Sequence, residues 1–201
     1  MQISSYMRPA VTLFLAMSLL TGIVYPISTT IIGQTLFHEQ VNGSLIIQDD
    51  KVVGSALIGQ NFSQAGYLWG RPSATTGFSY NPKASAASHL SVTHPEFSQQ
   101  LKKRIEALTT LDYENTLPIP VDLVTASASG LDPHISVAAA MYQVERIAKA
   151  RNISSEQVKD IIQKYTYNPQ FGIFGQKIVH VLQVNLALQA LVRDSKDSVA
   201  D

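Results

Sequence analysis

The chain has 201 residues, 45% of them hydrophobic, and its 15 lysines and arginines balance 15 aspartates and glutamates. That neutrality points to neither nucleic acid nor an anionic lipid surface as a partner. The lack of cysteine excludes zinc-thiolate, iron-sulfur and cysteine-nucleophile chemistry and leaves stability to core packing and hydrogen bonds.

From Pro9 to Gln34 there is no charged side chain, with Arg8 before the stretch and His38 and Glu39 after it. As a helix rising roughly 1.5 Å per residue, Ala10 to Ile32 reaches about 34 Å, enough to cross a hydrocarbon core of roughly 30 Å. A transmembrane helix is predicted over residues 10–33. A cleaved signal peptide would have only about 7 to 15 apolar residues and an A-x-A-like exit, which this stretch lacks. Arg8 stands before the span without an acid, whereas Glu39, Asp49 and Asp50 follow it ahead of Lys51. The positive-inside rule therefore places residues 1–9 in the cytoplasm and 34–201 outside it. Ser18, Gly22 and Pro26 recur at intervals of four. They form either a small-residue face for another membrane helix or residues that a lone span simply tolerates.

The remainder, roughly 165 residues, is a common length for one domain, here of mixed α/β (α+β) class. Ser44 to Ile47 and Val52 to Ile58 are β-prone runs about Gln48-Asp-Asp-Lys51 and predict a hairpin. Gly59 to Thr93 is rich in Gly, Ser, Asn and Pro with interleaved Phe62, Tyr67, Trp69, Phe78 and Tyr80. A loop of that length is functional or disordered, and the aromatics argue for an ordered, partner-facing loop. Thr93-His-Pro-Glu96 starts a helix, with Thr93 or His94 as cap and Glu96 placed to box Thr93. Phe97, Leu101, Ile105 and Leu108 form its apolar stripe, and Lys102, Lys103 and Arg104 its solvated face.

Pro118-Ile-Pro120 closes a connector, and Val121 to Thr125 is short and β-prone. Small residues from Ala126 to Gly130 then feed Asp132, read as the N-cap of a helix from Pro133 to Arg151 that buries Val137, Met141, Val144 and Ile147 or Ala148. Asn152 ends that helix. Ser154 and Gln157 box the start of the next, which carries Val158, Ile161, Ile162 and Tyr165 on one face. Asn168-Pro169, Gly172 and Gly175 make a turn. Gln176 to Arg193 reads as one largely buried helix, with His180 a core histidine, before a polar tail from Asp194.

Ser127 or Ser129 with His134 and Asp132 has the residue types of a hydrolytic triad. Proximity in sequence does not supply triad geometry, however, and no G-x-S-x-G elbow is present. A membrane-anchored hydrolase using Ser129, His134 and Asp132 is thus the second reading. His89 and His94 lack metal-ligand spacing, and neither a phosphate-binding loop, a dinucleotide fingerprint nor the D-K-T-G-T phosphorylation motif occurs.

Gln34-Thr-Leu-Phe37, Gly59-Gln-Asn-Phe62, Tyr67-Leu-Trp-Gly-Arg-Pro-Ser73, Tyr80-Asn-Pro82, Val124 to Ser136, Gln143 to Ala148 and Val181 to Leu188 together resemble the potassium-transporting ATPase C chain. That family is the small accessory subunit of the bacterial Kdp complex. Two departures stand out: Ser85-Ala-Ala-Ser88 replaces the usual glycine pair between serines, and His89 stands where asparagine is frequent. The resemblance implies a single-pass inner-membrane protein, not itself an enzyme. It works with a channel-like potassium-translocating subunit, a P-type ATPase subunit and a very small single-span subunit. It also implies a role in raising the pump's affinity for ATP, with Gln143 in the region concerned. Such a role sits poorly with an extracytoplasmic domain, where ATP is scarce, so assembly or the potassium entrance is the favoured expectation. The contact candidates are Ser18, Gly22 and Pro26 in the span and Trp69, Arg71, Pro72, Asn81, Ser127, Ser129, Gly130, Asp132 and His134 in the motifs.

Overall fold

The computed structural model describes residues 3–197. Residues 1–2 and the end of the expected tail, Ser198 to Asp201, lie outside them. The chain divides into two compact units, residues 1–46 and 47–201.

The first unit is dominated by a continuous helical run. It comprises α1 (Ile3–Leu19), a π-helical turn (Leu20–Val24) and α2 (Tyr25–Leu36), followed by the short α3 (His38–Val41). Tyr6–Leu36, 31 residues containing an 18-residue stretch of mean hydropathy 2.0, is long and apolar enough to cross a membrane. Five of its hydroxyls bond within the helix: Thr12, Thr21, Ser28, Thr30 and Thr35 each donate to the carbonyl four residues earlier. That is the local solution open to a polar side chain in lipid. The π turn has its cause in Pro26, which has no N–H to offer the carbonyl of Gly22 and whose ring crowds it; the backbone opens by one residue, and Tyr25 N–H bonds instead to Leu20 O. Ser18, Gly22 and Pro26 therefore do not follow an unbroken α-helical ladder, because the π turn intervenes.

The predicted hairpin is present, with β1 (Leu45–Gln48) paired to β2 (Lys51–Ser55). Asp49 and Asp50 both take left-handed φ, 51° and 57°, the signature of a type I′ turn whose twist suits a two-residue hairpin loop. Residues 59–93 then run without helix or strand. His89 sits at φ 52°, in the left-handed region that asparagine enters more readily.

α4 (Pro95–Leu111) is capped by His94, whose Nδ1 accepts from Glu96 N–H at 3.2 Å. Glu96 does not box Thr93; its carboxylate accepts from Gln100 instead. Arg104 departs from the solvated face expected of it. It is half-buried and donates to Val124 O at 2.8 Å, and burial lowers its pKa.

The Pro133–Arg151 segment is the main correction. His134–Ser136 is a strand, β3, and Ser136, accepting from Ala139 N–H, caps α5 (Val137–Tyr142). Gln143 breaks the helix before α6 (Val144–Arg151). The break turns Ala139, Ala140, Tyr142, Val144 and Ile147 inward and leaves Met141 exposed. Val121–Leu123, read as β-prone, is a 3-10 turn. Asn152 ends α6 in the left-handed conformation, and the Ser154–Gln157 capping box starts α7 (Ser155–Lys164), with Val158 and Ile162 buried.

β4 (Thr166–Tyr167), β5 (Ile178–His180) and α8 (Val181–Asp197) complete the chain, so the segment read as one helix opens with a strand and its helix runs past Asp194. The antiparallel sheet has the order β3-β5-β4, with His134 opposite His180, Ile135 opposite Val179 and Tyr167 opposite Ile178. Ile135 and Val179 are buried in one core with Leu68, Val144, Ile147, Val158, Ile162, Val184 and Leu188. Burying a side chain of this size contributes about 1.5–3 kcal/mol.

Candidate functional site

The loop 59–93 has no backbone ladder of its own, so its buried N–H and C=O groups must find partners elsewhere. Two side-chain amides supply them. Asn185, in the middle of apolar α8, accepts from Leu68 N–H at 2.7 Å and donates to Leu68 O at 2.9 Å. Gln143, at the α5–α6 break, accepts from Trp69 N–H at 2.9 Å and donates to Trp69 O at 3.1 Å. Each amide thus grips both polar groups of one residue, as a neighbouring strand would.

Two arginines complete the clamp. Arg146 donates to Ala65 O, to Tyr67 O at 3.1 Å and to Gln143 Oε1 at 2.6 Å, and its guanidinium lies 4.7 Å from the centre of the Trp69 ring. Burial pushes its pKa down to about 10, while Asp112 and Tyr142 oppose the shift. Arg151 donates to Gly66 O and to Leu188 O at 2.9 Å and stacks over Tyr67. Gln143 is 1% exposed and also donates to Ala139 O at 3.1 Å, so all its hydrogen bonds are spent inside the domain.

The second half of the loop is laced to the 126–136 motif. Pro72 O accepts from Ser127 N–H at 3.2 Å, Ser73 Oγ donates to Gly130 O at 2.7 Å, and Ala86 N–H and Ser85 Oγ both donate to Ser129 O. Tyr80 OH donates to Arg71 O at 2.5 Å; burial, reinforced by Asp132, pushes its pKa up to about 12, so it stays a donor. Asn81 pins its own turn, donating to Thr76 O and accepting from Lys83 N–H.

Asp132 is not a helix cap. Its Oδ1 accepts from His134 N–H at 3.0 Å, shaping the entry to β3, and its Oδ2 lies 3.5 Å from Arg71 Nη1. Arg71 also donates to Ala126 O at 3.2 Å, and its buried Nε has no hydrogen-bond partner among the described residues. Burial pushes the Asp132 carboxyl up, but the hydrogen bonds from His134 and the charges of Arg71 and His134 together hold it below the usual range. Its stabilising effect is therefore complete above the ordinary carboxylate value of about 3.9 and is lost as pH falls through the lower folded value. Asp132→Asn keeps the turn bond and loses the attraction to Arg71; Asp132→Ala loses both. Chemical denaturation should rank them wild type, Asn, Ala, with Ala lower by about 1–2 kcal/mol. The gap between wild type and Asn should close below about pH 3.9. A gap that persists undiminished in acid would remove the charge from this account.

The serines are turn formers. Ser127 Oγ accepts from Gly130 N–H at 2.9 Å and Ser129 Oγ from Leu131 N–H at 3.1 Å, and the described hydrogen bonds link neither to His134. His134 packs edge-on against His180, ring centres 5.1 Å apart. His180 is a buried core histidine. Burial lowers its pKa, and its Nε2 lies 3.0 Å from Ala56 O.

Trp69, Arg71, Pro72, Asn81, Ser127, Ser129, Gly130, Asp132 and His134 are thus brought to one loop-and-motif assembly. Sequence reading missed Arg146, Arg151 and Asn185 as the groups that hold it. The available signal was an amide among Val184, Leu186 and Leu188, where a polar side chain needs a partner.

The family description "K+-transporting ATPase, c chain" matches residues 7–190. The chain belongs to the K+-transporting ATPase C-chain family. Relatives named potassium-transporting ATPase KdpC subunit include one from Methylococcus capsulatus, 51% identical over 93% of this chain and 98% of the relative. Another, from Ralstonia nicotianae, is 52% identical over 90% of this chain and 89% of the relative. A third, from Shigella dysenteriae, is 49% identical over 93% and 98%. The clamp and the 126–136 motif lie wholly inside the matched residues.

Proposed function

We propose that the chain is the non-catalytic accessory subunit of an ATP-driven, high-affinity potassium import complex in a bacterial inner membrane. The observation that carries this reading is the family match over residues 7–190. In it, residues 10–33 span the membrane, residues 1–9 are cytoplasmic and residues 34–201 are extracytoplasmic, as the charge asymmetry about the helix supports. The partners are a channel-like potassium-translocating subunit, a P-type ATPase subunit that carries the catalytic residues, and a small single-span subunit. Ser18, Gly22 and Pro26 are the span's contact candidates, and the clamped loop with the 126–136 motif is the domain's. Holding the loop rigid before assembly reduces the ordering entropy that binding would otherwise have to overcome.

Any effect on the pump's affinity for ATP passes, in this reading, through assembly. A nucleotide contact by Gln143 would have to break the four hydrogen bonds that tie its side chain to Trp69, Ala139 and Arg146. The hydrolase reading has no nucleophile–base contact among the described residues to support it.

Topology is the testable part. The chain has no native thiol, so a single cysteine at exposed Gln163 of α7 reports its own location; a probe at Ser198 would sit outside the described residues. A membrane-impermeant maleimide should label Gln163→Cys in intact spheroplasts as fully as after lysis. Labelling that requires lysis would reverse the orientation.

A further inference from the structure

Between β4 and β5 the chain projects a short turn whose apolar side chains have nothing to pack on. Phe171 is 90% exposed, Ile173 79% and Phe174 66%. The turn is nevertheless held rigidly: Gln170 N–H donates to Phe174 O at 2.9 Å, Phe174 N–H returns to Gln170 O at 3.0 Å, and Gly172 N–H donates to Pro169 O at 3.0 Å. Phe171 itself takes φ 54°, a conformation unfavourable for a bulky side chain that persists only where the surroundings impose it. Three large apolar groups are therefore fixed outward.

We propose that this tip is a membrane-contact element that inserts Phe171, Ile173 and Phe174 into the interface of a bilayer containing anionic lipid. The local charge selects that occupant. Whole-chain neutrality hides a run from Ile161 to Arg193 with no aspartate or glutamate, in which Lys164 and Lys177 are exposed on either side of the tip. Apolar and aromatic residues flanked by lysines, with no acid among them, match the acyl–headgroup boundary of an anionic leaflet. The same chain carries a helix of membrane length, so the domain is tied to a bilayer, and one leaflet-bound tip adds a second point of attachment at high effective concentration. The inference rests on the anchored reading above, and its test separates the two.

Full-length chain is reconstituted into nanodiscs of phosphatidylcholine with phosphatidylglycerol, carrying one cysteine labelled with a polarity-sensitive fluorophore at Ile173, at Gln163 or at Phe14. Spin-labelled lipid serves as quencher. The expected record is blue-shifted emission and strong quenching at Ile173→Cys, water-like emission with little quenching at Gln163→Cys, and full quenching at Phe14→Cys within the span. Phe171→Ser with Phe174→Ser, or Lys177→Gln, should reduce quenching at Ile173→Cys several-fold, and so should phosphatidylcholine alone. An Ile173 probe as water-exposed as the Gln163 probe, with Phe14 quenched, overturns the tip proposal and leaves the anchor. An unquenched Phe14 probe overturns both. Protection of the Ile173 probe that appears only when the potassium-translocating subunit is co-reconstituted overturns the lipid assignment and gives the tip to a protein partner.

Discussion

Replacing Gln143 by leucine is expected to remove about 3–5 kcal/mol of domain stability, because it leaves the N–H and C=O of Trp69 and one donor of Arg146 without partners in the interior. Each unsatisfied buried group costs about 1–3 kcal/mol, whereas leucine returns little, since the site is shaped for a planar amide. Against an ordinary total of about 5–15 kcal/mol, the variant retains little reserve. Gln143→Glu keeps the acceptor for Trp69 N–H and Arg146 but loses both donors, so its loss should fall between leucine and wild type. Urea denaturation of the full chain in detergent, followed by Trp69 fluorescence, reads the effect; Trp69 is the only tryptophan. A leucine variant as stable as wild type whose assembled pump has lost ATP affinity would sink the clamp and return Gln143 to nucleotide binding.

The second large effect is expected at Gly130. Its φ of 69° lies in the left-handed region, which costs an L-residue roughly 1–2 kcal/mol. A methyl group there would also stand 2.8 Å from Ala86 O and 2.6 Å from Thr75 Cγ2. Those are the points at which the long loop is laced to the motif. Gly130→Ala should therefore lose about 2–4 kcal/mol by strain and overpacking together. Gly130→Asn separates the two contributions. Asparagine tolerates left-handed φ, so it should recover part of the conformational cost while the clash with Ala86 O remains. Under the proposed function, both variants should co-purify less of the other subunits of the complex than wild type. An alanine variant with an unchanged denaturation midpoint would show that the 84–86 loop moves aside freely, and the lacing would then not be what sets the loop's position.

The two variants lie 13 positions apart in sequence, yet they test the two halves of one device. Gln143 holds Trp69 from the helical side, and Gly130 admits the loop's return past Ser73 and Ala86. Arg71 stands between these halves. It reaches Asp132 and Ala126 from a loop that its neighbours keep in place.

What the amino-acid sequence determined by itself was whatever is encoded within a few residues. The uncharged run from Pro9 to Gln34 sets a helix of membrane length by composition. Asp49-Asp50 makes the hairpin turn, Asn152 stops α6 in a left-handed residue, and Ser154 with Gln157 starts α7. The motif from Val124 to Ser136 carried the family resemblance without any geometry. Tertiary structure alone decided the rest. His134–Ser136 and Ile178–His180 are three-residue strands that read locally as helix ends, and they become strands because each supplies the other's hydrogen bonds across 44 residues of chain. A three-residue strand has too short a pattern to announce itself. Asp132 and Pro133 have the residue types of a helix start, but with β3 paired to β5 the helix begins at Val137, and Asp132 is left to shape a turn and face Arg71. Gln143 and Asn185 are the sharpest case. Each is an unremarkable amide on a helix until a loop residue about 74 or 117 positions away brings an N–H and a C=O against it, and only the folded chain brings those groups together, because the burial that makes them need a partner exists only there.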